Sequence, residues 1–154
     1  MRDEWHCYTD GSCKAHAGAP GGWGFFVKPP EGPPLEGYGK AKGTLAKIME
    51  YQAVAEALAV LPAGAAAVVF SDNQSLIENL EKHLDSWRAR AFARVDADIV
   101  SSVRRIDDEI TTKRLVVRWQ WVRGHNGNAG NERADQLAAQ GAREAKAELG
   151  AGRR

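Results

Sequence analysis

The segment from Leu45 to Leu61 constrains the fold most, because it is apolar around almost the whole circumference of a helix. Its interruptions are Lys47, Glu50, Gln52 and Glu56. Thr44 is expected to cap this helix and Pro62 to end it. A helix of this kind is normally buried by neighbours on most sides. The rest of the chain must therefore supply layers that cover it.

Alternation of apolar and polar residues predicts strands on both sides of this helix. Three strands come before it, over residues 4–10, 23–27 and 35–42. The turn signal Asp10-Gly11-Ser12 ends the first strand, a Gly- and Pro-rich loop over 18–22 precedes the second, and the three form an antiparallel meander. A short apolar run over 65–71 and an alternating run over 115–122 predict two more strands.

Four further helices are predicted after the Leu45–Leu61 helix. One starts at Asp72-Asn73 and carries Leu76, Ile77 and Leu80, and the others cover residues 86–93, 95–110 and about 131–149. Helices between strands imply parallel pairs added to the antiparallel meander. The expected fold is therefore α/β, a five-stranded mixed sheet with helices on both faces. We expect one domain over residues 1–147 and a frayed tail over 148–154.

Composition places the chain among ordinary globular proteins. Its 154 residues suffice for one domain with its own core, and 44% of them are hydrophobic. No apolar run reaches the ~18 to 20 residues of a membrane span, and the N-terminus lacks a signal-peptide pattern. Cys7 and Cys13 lack partners at metal-site spacing, so we expect free thiols. These features predict a cytoplasmic protein, with no membrane contact and no obligate protein partner, so a monomer is expected.

The distribution of charge is more informative than the net charge of +1. Arg88, Arg90 and Arg94 cluster around Trp87 and Phe92. Basic side chains contact phosphates and aromatic rings can lie beside them, so this cluster is a candidate nucleic-acid contact. Core packing is an equally good explanation for the two aromatic side chains.

Four carboxylates, those of Asp10, Glu50, Asp72 and Asp135, fall near the ends of predicted elements. Each has a structural explanation: a turn for Asp10, an ion pair with Lys47 for Glu50, an N-cap for Asp72 and the helix dipole for Asp135. Carboxylates that converge raise each other's pKa unless a cation neutralises them. An all-carboxylate set suits Mg²⁺ or Mn²⁺, and two such ions about 4 Å apart are the usual device for hydrolysing a phosphodiester.

Four blocks of sequence resemble the signatures of type 1 ribonuclease H. They are Tyr8-Thr9-Asp10-Gly11-Ser12-Cys13, Ile48-Met49-Glu50, Phe70-Ser71-Asp72-Asn73-Gln74, and Trp121-Val122-Arg123-Gly124-His125 with Gly130-Asn131-Glu132-Arg133-Ala134-Asp135. They occur in the family's order and at its spacings, and the similarity covers residues 4 to about 147. The resemblance implies a ribonuclease H-like fold. It also implies endonucleolytic hydrolysis of the RNA strand of an RNA–DNA hybrid, leaving 5′-phosphate and 3′-hydroxyl ends.

The resemblance also implies a role for each matching residue. Asp10, Glu50, Asp72 and Asp135 would hold two Mg²⁺ ions, with Mn²⁺ as a substitute. His125 would move protons, which suits an imidazole that titrates near neutral pH, although a solvated loop histidine is the alternative. Contacts to the hybrid's minor groove and backbone are implied for Gly11, Ser12, Cys13, Lys47, Gln74, Trp87, Arg88, Arg90 and Phe92.

The chain departs from the family's pattern at positions that contact the substrate in this family. Ala46 and Lys47 replace paired asparagines, His16 and Ala17 stand where an asparagine is expected, and His83 replaces a tryptophan. These changes leave the metal ligands alone but remove amide groups. We therefore expect weaker or less selective hybrid binding than is typical, unless Lys47 compensates by touching a phosphate. Equal affinity and selectivity after restoring Asn at 46 and 47 would contradict this.

Two other functions are compatible with the same fold. A resolvase- or transposase-like nuclease generally needs extra DNA-binding segments, for which this chain has no room. A non-catalytic or altered-specificity nucleic-acid-binding module would not need all four acids and the histidine. The substitution Asp10→Asn separates the catalyst from the binding module, because only a catalyst loses metal-dependent cleavage.

Overall fold

The computed structural model describes residues 3–14, 16, 18–124 and 127–151. These residues form five strands: β1 (Glu4–Cys13), β2 (Ala19–Lys28), β3 (Leu35–Thr44), β4 (Ala66–Ser71) and β5 (Val116–Trp121). They also form four helices: α1 (Ala46–Ala59), α2 (Gln74–Ala89), α3 (Val100–Lys113) and α4 (Ala129–Ala151). The strand order is β3-β2-β1-β4-β5, antiparallel from β3 to β1 and parallel from β1 to β5. The predicted five-stranded mixed sheet is confirmed.

Helices cover both faces of the sheet, as predicted. Helix α1 packs on β1 and β2 with α3 against it, and α2 packs on β4 and β5. The core on this face is closed by side chains that are 0% exposed, among them Val27, Val54, Leu58, Val69 and Val103. Helix α4 covers β1, β2 and β3 from the other face. Within the described ranges, no helix has the length and apolarity required to cross a membrane.

Two glycines of β2 let α4 pack directly on the strand backbone. A Cβ atom at Gly22 would lie 2.5 Å from the Ala142 nitrogen, and one at Gly24 would lie 2.6 Å from the Ala138 nitrogen. A larger residue at either position would push the helix away. The predicted loop over 18–22 is therefore wrong from Ala19 onward, since these glycines mark a close helix contact within a strand.

The predicted turn at Asp10-Gly11-Ser12 is also wrong. Strand β1 continues through Cys13 and pairs with β2 along this stretch, with Gly11 opposite Trp23. The parallel pairing of β1 with β4 stops earlier, at Tyr8 and Phe70. Asp10 therefore lies just beyond the carboxyl end of the β1–β4 ladder, in a strand that continues.

The helices between β4 and β5 differ from the prediction. Helix α2 is continuous through Ala89, so the separate helix predicted over 86–93 does not form, and α3 begins at Val100 rather than at residue 95. Ala91 and Phe92 adopt positive φ angles of 53° and 62°. Because this left-handed conformation cannot continue an α-helix, the chain turns here although alanine, at position 91, favours helix.

Helix starts and ends also differ in detail. Helix α1 begins after Leu45 without a side-chain cap, and Thr44 is the last residue of β3, so the predicted Thr44 cap is wrong. Helix α4 begins at Ala129, where the Asn128 side chain accepts the Asn131 N–H over 3.0 Å. It continues to Ala151, past the predicted end at residue 149.

Candidate metal centre

Asp10 lies in the middle of the sheet, on the face that α4 covers. It is 6% exposed, and the Gly11 N–H donates to its Oδ1 over 2.9 Å. Asp135, in the second turn of α4, forms a hydrogen bond with the Asp10 carboxyl group. Gly24 pairs with Asp10 across β1 and β2, and a Cβ there would meet the Ala134 carbonyl at 2.7 Å. The absence of a side chain at position 24 thus brings Asp135 to Asp10.

Glu50 reaches the same point from α1 on the other side of the sheet. A Cβ at Gly11 would lie 2.5 Å from the Glu50 nitrogen, so the helix backbone rests on the strand there. The Asn73 side-chain amide donates to Glu50 Oε2. The ion pair between Glu50 and Lys47 that we considered is wrong, because Lys47 Nζ lies 3.3 Å from Asp96 Oδ2 instead. Glu50 therefore faces the other acids.

Asp72 directly follows β4, where it was expected either to cap α2 or to bind metal. Asn73 is the cap, because its Oδ1 accepts the Leu76 N–H over 3.0 Å. The backbone carbonyl of Asp72 accepts a hydrogen bond from Trp121 Nε1 at 3.1 Å, which ties it to β5. Capping therefore does not explain the Asp72 carboxylate.

The three acids from β1, α1 and the end of β4 form one cluster. Oxygen atoms of Asp10, Glu50 and Asp72 all lie within 4.8 Å of one another. Burial, followed by the charge of Asp72 and the contact with Asp135, raises the pKa of Asp10 to about 8. Burial also raises the pKa of Glu50, against the lowering effect of the Asn73 hydrogen bond. An all-oxygen donor set with this much repulsion fits a hard divalent cation such as Mg²⁺.

Two predicted or discussed positions lie outside the described residues. They are His125, assigned as the proton carrier, and Ala17, where the family's pattern has an asparagine. Gly124 is described, and a Cβ on it would lie 3.0 Å from Asp72 Oδ2. The chain segment before His125 thus passes directly beside the acid cluster, and the role of His125 stays a prediction.

The predicted minor-groove residues near the acids have different surroundings. The Gly11 backbone is pressed against α1, and Ser12 is half-buried beside it. The Cys13 thiol points to backbone carbonyls, 3.5 Å from that of Thr44 and 3.7 Å from that of Ala19. Gln74 is exposed at the first turn of α2, and its amide donates to Glu78 Oε1 over 3.2 Å. Their contacts to substrate stay predictions.

The predicted DNA-binding cluster is partly occupied by structural contacts. Trp87 and Phe92 are half-buried and pack against the core. Arg88 Nε donates to Oδ1 of the buried Asp107 over 2.7 Å, which ties α2 to α3. Arg90 is exposed at the C-cap of α2. No ion pair is found for Arg90 in the part of the chain that the structure describes, whereas Arg88 already binds Asp107 on α3.

Asn73 is the residue of this site whose role the sequence reasoning missed. It was noted only as part of the helix start and of a family block. Its carbonyl oxygen caps α2 while its amide nitrogen holds Glu50, twenty-three positions earlier in the chain. The available signal was its place directly after Asp72, since asparagine is a preferred cap and a cap here must lie beside the acid.

Comparison with known proteins agrees with this geometry. The RNase H family model matches residues 2–143. A ribonuclease H of Albidiferax ferrireducens is 39% identical over 137 residues, covering 87% of this chain and 91% of the relative. One from Polaromonas naphthalenivorans is 37% identical over 145 residues, covering 92% and 89%.

A solved structure shows the same fold. LC9-RNase H1, described as a type 1 RNase H with the type 2 active-site motif, superposes with a TM-score of 0.78 at 22% identity. The match covers 94% of this chain and 74% of that one. Together with the family model and the two relatives, this shows that the chain belongs to the ribonuclease H family of endoribonucleases.

Proposed function

We propose that this ribonuclease H cuts the RNA strand of RNA–DNA hybrids internally in the presence of Mg²⁺, leaving 5′-phosphate and 3′-hydroxyl ends. The convergence of the Asp10, Glu50 and Asp72 carboxylates within 4.8 Å carries this proposal. These acids and Asp135 come from one chain, which supports a monomeric single domain over residues 1–147. The free thiols of Cys7 and Cys13 support a reducing, cytoplasmic location.

We assign the metal ions to the four acids. Asp10, the most buried of them, interacts with both Asp72 and Asp135, so together these acids would hold the metal ions. When bound, such a pair activates water and stabilises the leaving oxygen of a phosphodiester. Asn73 holds Glu50 in position from the neighbouring helix start. The oxygen-only donor set favours Mg²⁺, with Mn²⁺ as a substitute.

Protein groups beside the acids complete the proposed site. His125 follows Gly124, which lies against Asp72, so an imidazole at position 125 can take up or deliver a proton near the cluster. Ser12, the Gly11 backbone and Gln74 are assigned to the minor groove of the hybrid, where the RNA strand shows its 2′-hydroxyls. Arg90, with the edges of Trp87 and Phe92, is assigned to the DNA strand. Lys47 is assigned to a phosphate despite its pairing with Asp96.

A substrate panel tests this function. Hybrid, double-stranded RNA and double-stranded DNA, each labelled on one strand at a time, are incubated with the protein in Mg²⁺, Mn²⁺ or EDTA. We expect cutting of the RNA strand of the hybrid alone, with no cutting in EDTA, and products that a 5′-phosphate-dependent exonuclease degrades. No cutting of any substrate with either metal would instead favour the non-catalytic binding module. Cutting of the DNA strand would contradict the proposed substrate.

A further inference from the structure

Helix α4 carries opposite charges on two of its sides. Glu144 and Glu148 face β3, where Lys40 Nζ lies 3.7 Å from Glu144 Oε1 and 2.5 Å from Glu148 Oε1. At 3.6 residues per turn, Arg143 and Lys146 fall on a different side of the helix. The nearest acids along α4 are therefore occupied with Lys40, away from these two cations.

A cavity of about 300 Å³ opens on the basic side of α4, where the helix passes the end of β1. We call it the basic groove and define it by Ser12 and Lys14 on one wall and by Ala139, Ala142, Arg143 and Lys146 on the other. The two alanines have small side chains, and three of the lining residues are cations. Lys14, Arg143 and Lys146 are all exposed.

The two walls of the basic groove belong to the same side of α4 and the same face of β1 as Asp135 and Asp10. Asp135, Ala139, Ala142 and Lys146 follow one another at intervals of four, three and four residues, so they form one stripe along α4. Ser12 pairs with Gly22 and Asp10 with Gly24, and both glycines face α4, so Ser12 and Asp10 share a face of β1. At ~1.5 Å per helical residue, Arg143 and Lys146 lie roughly 12 to 17 Å from Asp135 along the helix axis.

The cations of the basic groove are available for an anion from outside. Across the described ranges, the ion pairs found for basic residues of α4 and β3 involve Lys40 and Arg133, and none involves Lys14, Arg143 or Lys146. Three like charges around one open cavity repel each other, and an anion placed among them removes that repulsion. A nucleic-acid strand carries a phosphate every ~3.4 Å of duplex axis, so a strand that runs from the acids along α4 would reach the groove about four base pairs away.

We propose that the basic groove binds the phosphodiester backbone of the nucleic acid a few nucleotides from the cleaved bond, with Lys14, Arg143 and Lys146 as its phosphate contacts. This rests on the proposed function. The groove positions the duplex along α4 and adds affinity that does not depend on sequence, since phosphate contacts carry no base information.

Charge removal with a matched control tests the basic groove. The double variant Arg143→Gln/Lys146→Gln removes two exposed charges from α4 and keeps good helix formers. The control Lys28→Gln/Arg114→Gln also removes one exposed lysine and one exposed arginine. Both lie at the opposite end of the sheet, where Lys28 of β2 is opposite His6 of β1. A second groove variant, Lys14→Gln, removes the cation of the other wall.

Hybrid affinity is measured in EDTA at several salt concentrations, and cleavage is measured in Mg²⁺. Each phosphate contact contributes about 0.9 to the slope of log K against log salt. At 50 mM salt, one contact therefore raises the affinity roughly tenfold over binding without it. We expect the double variant, which loses two contacts, to bind up to about a hundredfold more weakly at 50 mM salt, with a slope shallower by up to about 1.8, and to raise KM while kcat stays unchanged. Lys14→Gln should act in the same direction, and the control should match the wild type.

Failure of this inference differs from failure of the proposed function. If the wild type cleaves the hybrid but the groove variants keep its affinity and salt slope, the groove does not bind backbone. Equal losses in the groove and control variants would also overturn the inference, because they show only a general effect of net charge. If the wild type cleaves nothing, the proposed function fails, and the binding comparison still decides whether the groove contacts nucleic acid.

Discussion

Gly11 lies so close to Glu50 that a Cβ at position 11 would fall 2.5 Å from the Glu50 backbone nitrogen. The strand that carries Asp10 and the helix that carries Glu50 thus meet at a residue without a side chain. Because real Cβ atoms do not approach backbone this closely, a side chain at position 11 must move α1 away from β1. The separation of Asp10 and Glu50 therefore depends on this glycine.

The variant Gly11→Ala should lose both activity and stability. We expect the free energy of unfolding to fall by about 1 to 3 kcal/mol, as for overpacked cores, and metal-dependent cleavage to fall at least tenfold because Glu50 is displaced. Urea unfolding and cleavage assays measure the two effects. Gly150→Ala is the control, since a Cβ there meets nothing within 4 Å. Wild-type cleavage by Gly11→Ala would show that the close approach does not set the acid geometry.

The acid cluster should make stability depend on pH when metal is removed. The pKa of Asp10 in the folded chain is raised to about 8 by burial, by the Asp72 charge and by Asp135, above its value of ~3.9 when unfolded. The stability contributed by this group is complete below pH ~4 and is lost as the pH rises through about 8. Asp10→Asn has no charge to bury, so in EDTA its advantage over the wild type should grow from pH 4 to pH 8.

Thermal unfolding of both proteins in EDTA at several pH values measures this difference. We expect Asp10→Asn to be more stable at pH 8 by on the order of a few kcal/mol. Added Mg²⁺ should raise the Tm of the wild type and narrow the gap. If the Tm values of the two proteins change in parallel across this pH range, the pKa of Asp10 is not raised by its surroundings.

Asn73 should have two separable roles, as the cap of α2 and as the donor to Glu50. Asn73→Ser keeps a capping oxygen but is too short to donate to Glu50, so stability should change by less than about 1 kcal/mol while cleavage falls. Asn73→Ala also loses the cap and should cost about 1 kcal/mol more. Unfolding curves and initial rates at several Mg²⁺ concentrations measure the two roles. If Asn73→Ser cleaves as fast as the wild type, the hydrogen bond from Asn73 to Glu50 does not contribute to cleavage.

Arg88 and Arg90 should respond differently to truncation. Arg88 lies 2.7 Å from Asp107, whose side chain is 7% exposed, so Arg88→Ala leaves a buried carboxylate unpaired. We expect this variant to lose about 1 to 3 kcal/mol of stability. Arg90→Ala should keep its stability and instead weaken hybrid binding with a reduced salt slope. The reverse pattern, with Arg88→Ala stable and Arg90→Ala unfolded, would contradict the contacts described for α2.

The sequence predicted the parts of this molecule that depend on local pattern. Alternation and one short apolar run placed the five strands, and the block Ile48-Met49-Glu50 identified Glu50 as a candidate metal ligand. The continuation of β1 through Gly11 and of β2 through Gly22 was missed, because these two glycines are explained only by the helices packed against them. Local pattern contains no information about such contacts, so glycine was interpreted as a turn residue.

The alternative explanations of the acids were resolved only by distant residues. Whether Glu50 pairs with Lys47 depended on Asp96, which is far along the chain and attracts Lys47 instead. Whether Arg88 is free for phosphate depended on Asp107 on the next helix. Pairing partners of this kind are set by tertiary packing, and side-chain type alone does not select among them.

The most direct test of the account compares cleavage by the wild type, Asp10→Asn and Asp108→Asn. Asp108 is exposed on α3, so its variant neutralises one carboxylate away from the cluster. Each protein is incubated with Mg²⁺ and an RNA–DNA hybrid labelled on either strand, and binding is measured in EDTA. We predict that the wild type and Asp108→Asn cut only the RNA strand, while Asp10→Asn binds the hybrid and cuts neither strand. Undiminished cleavage by Asp10→Asn would contradict the assignment of the acid cluster as the metal centre.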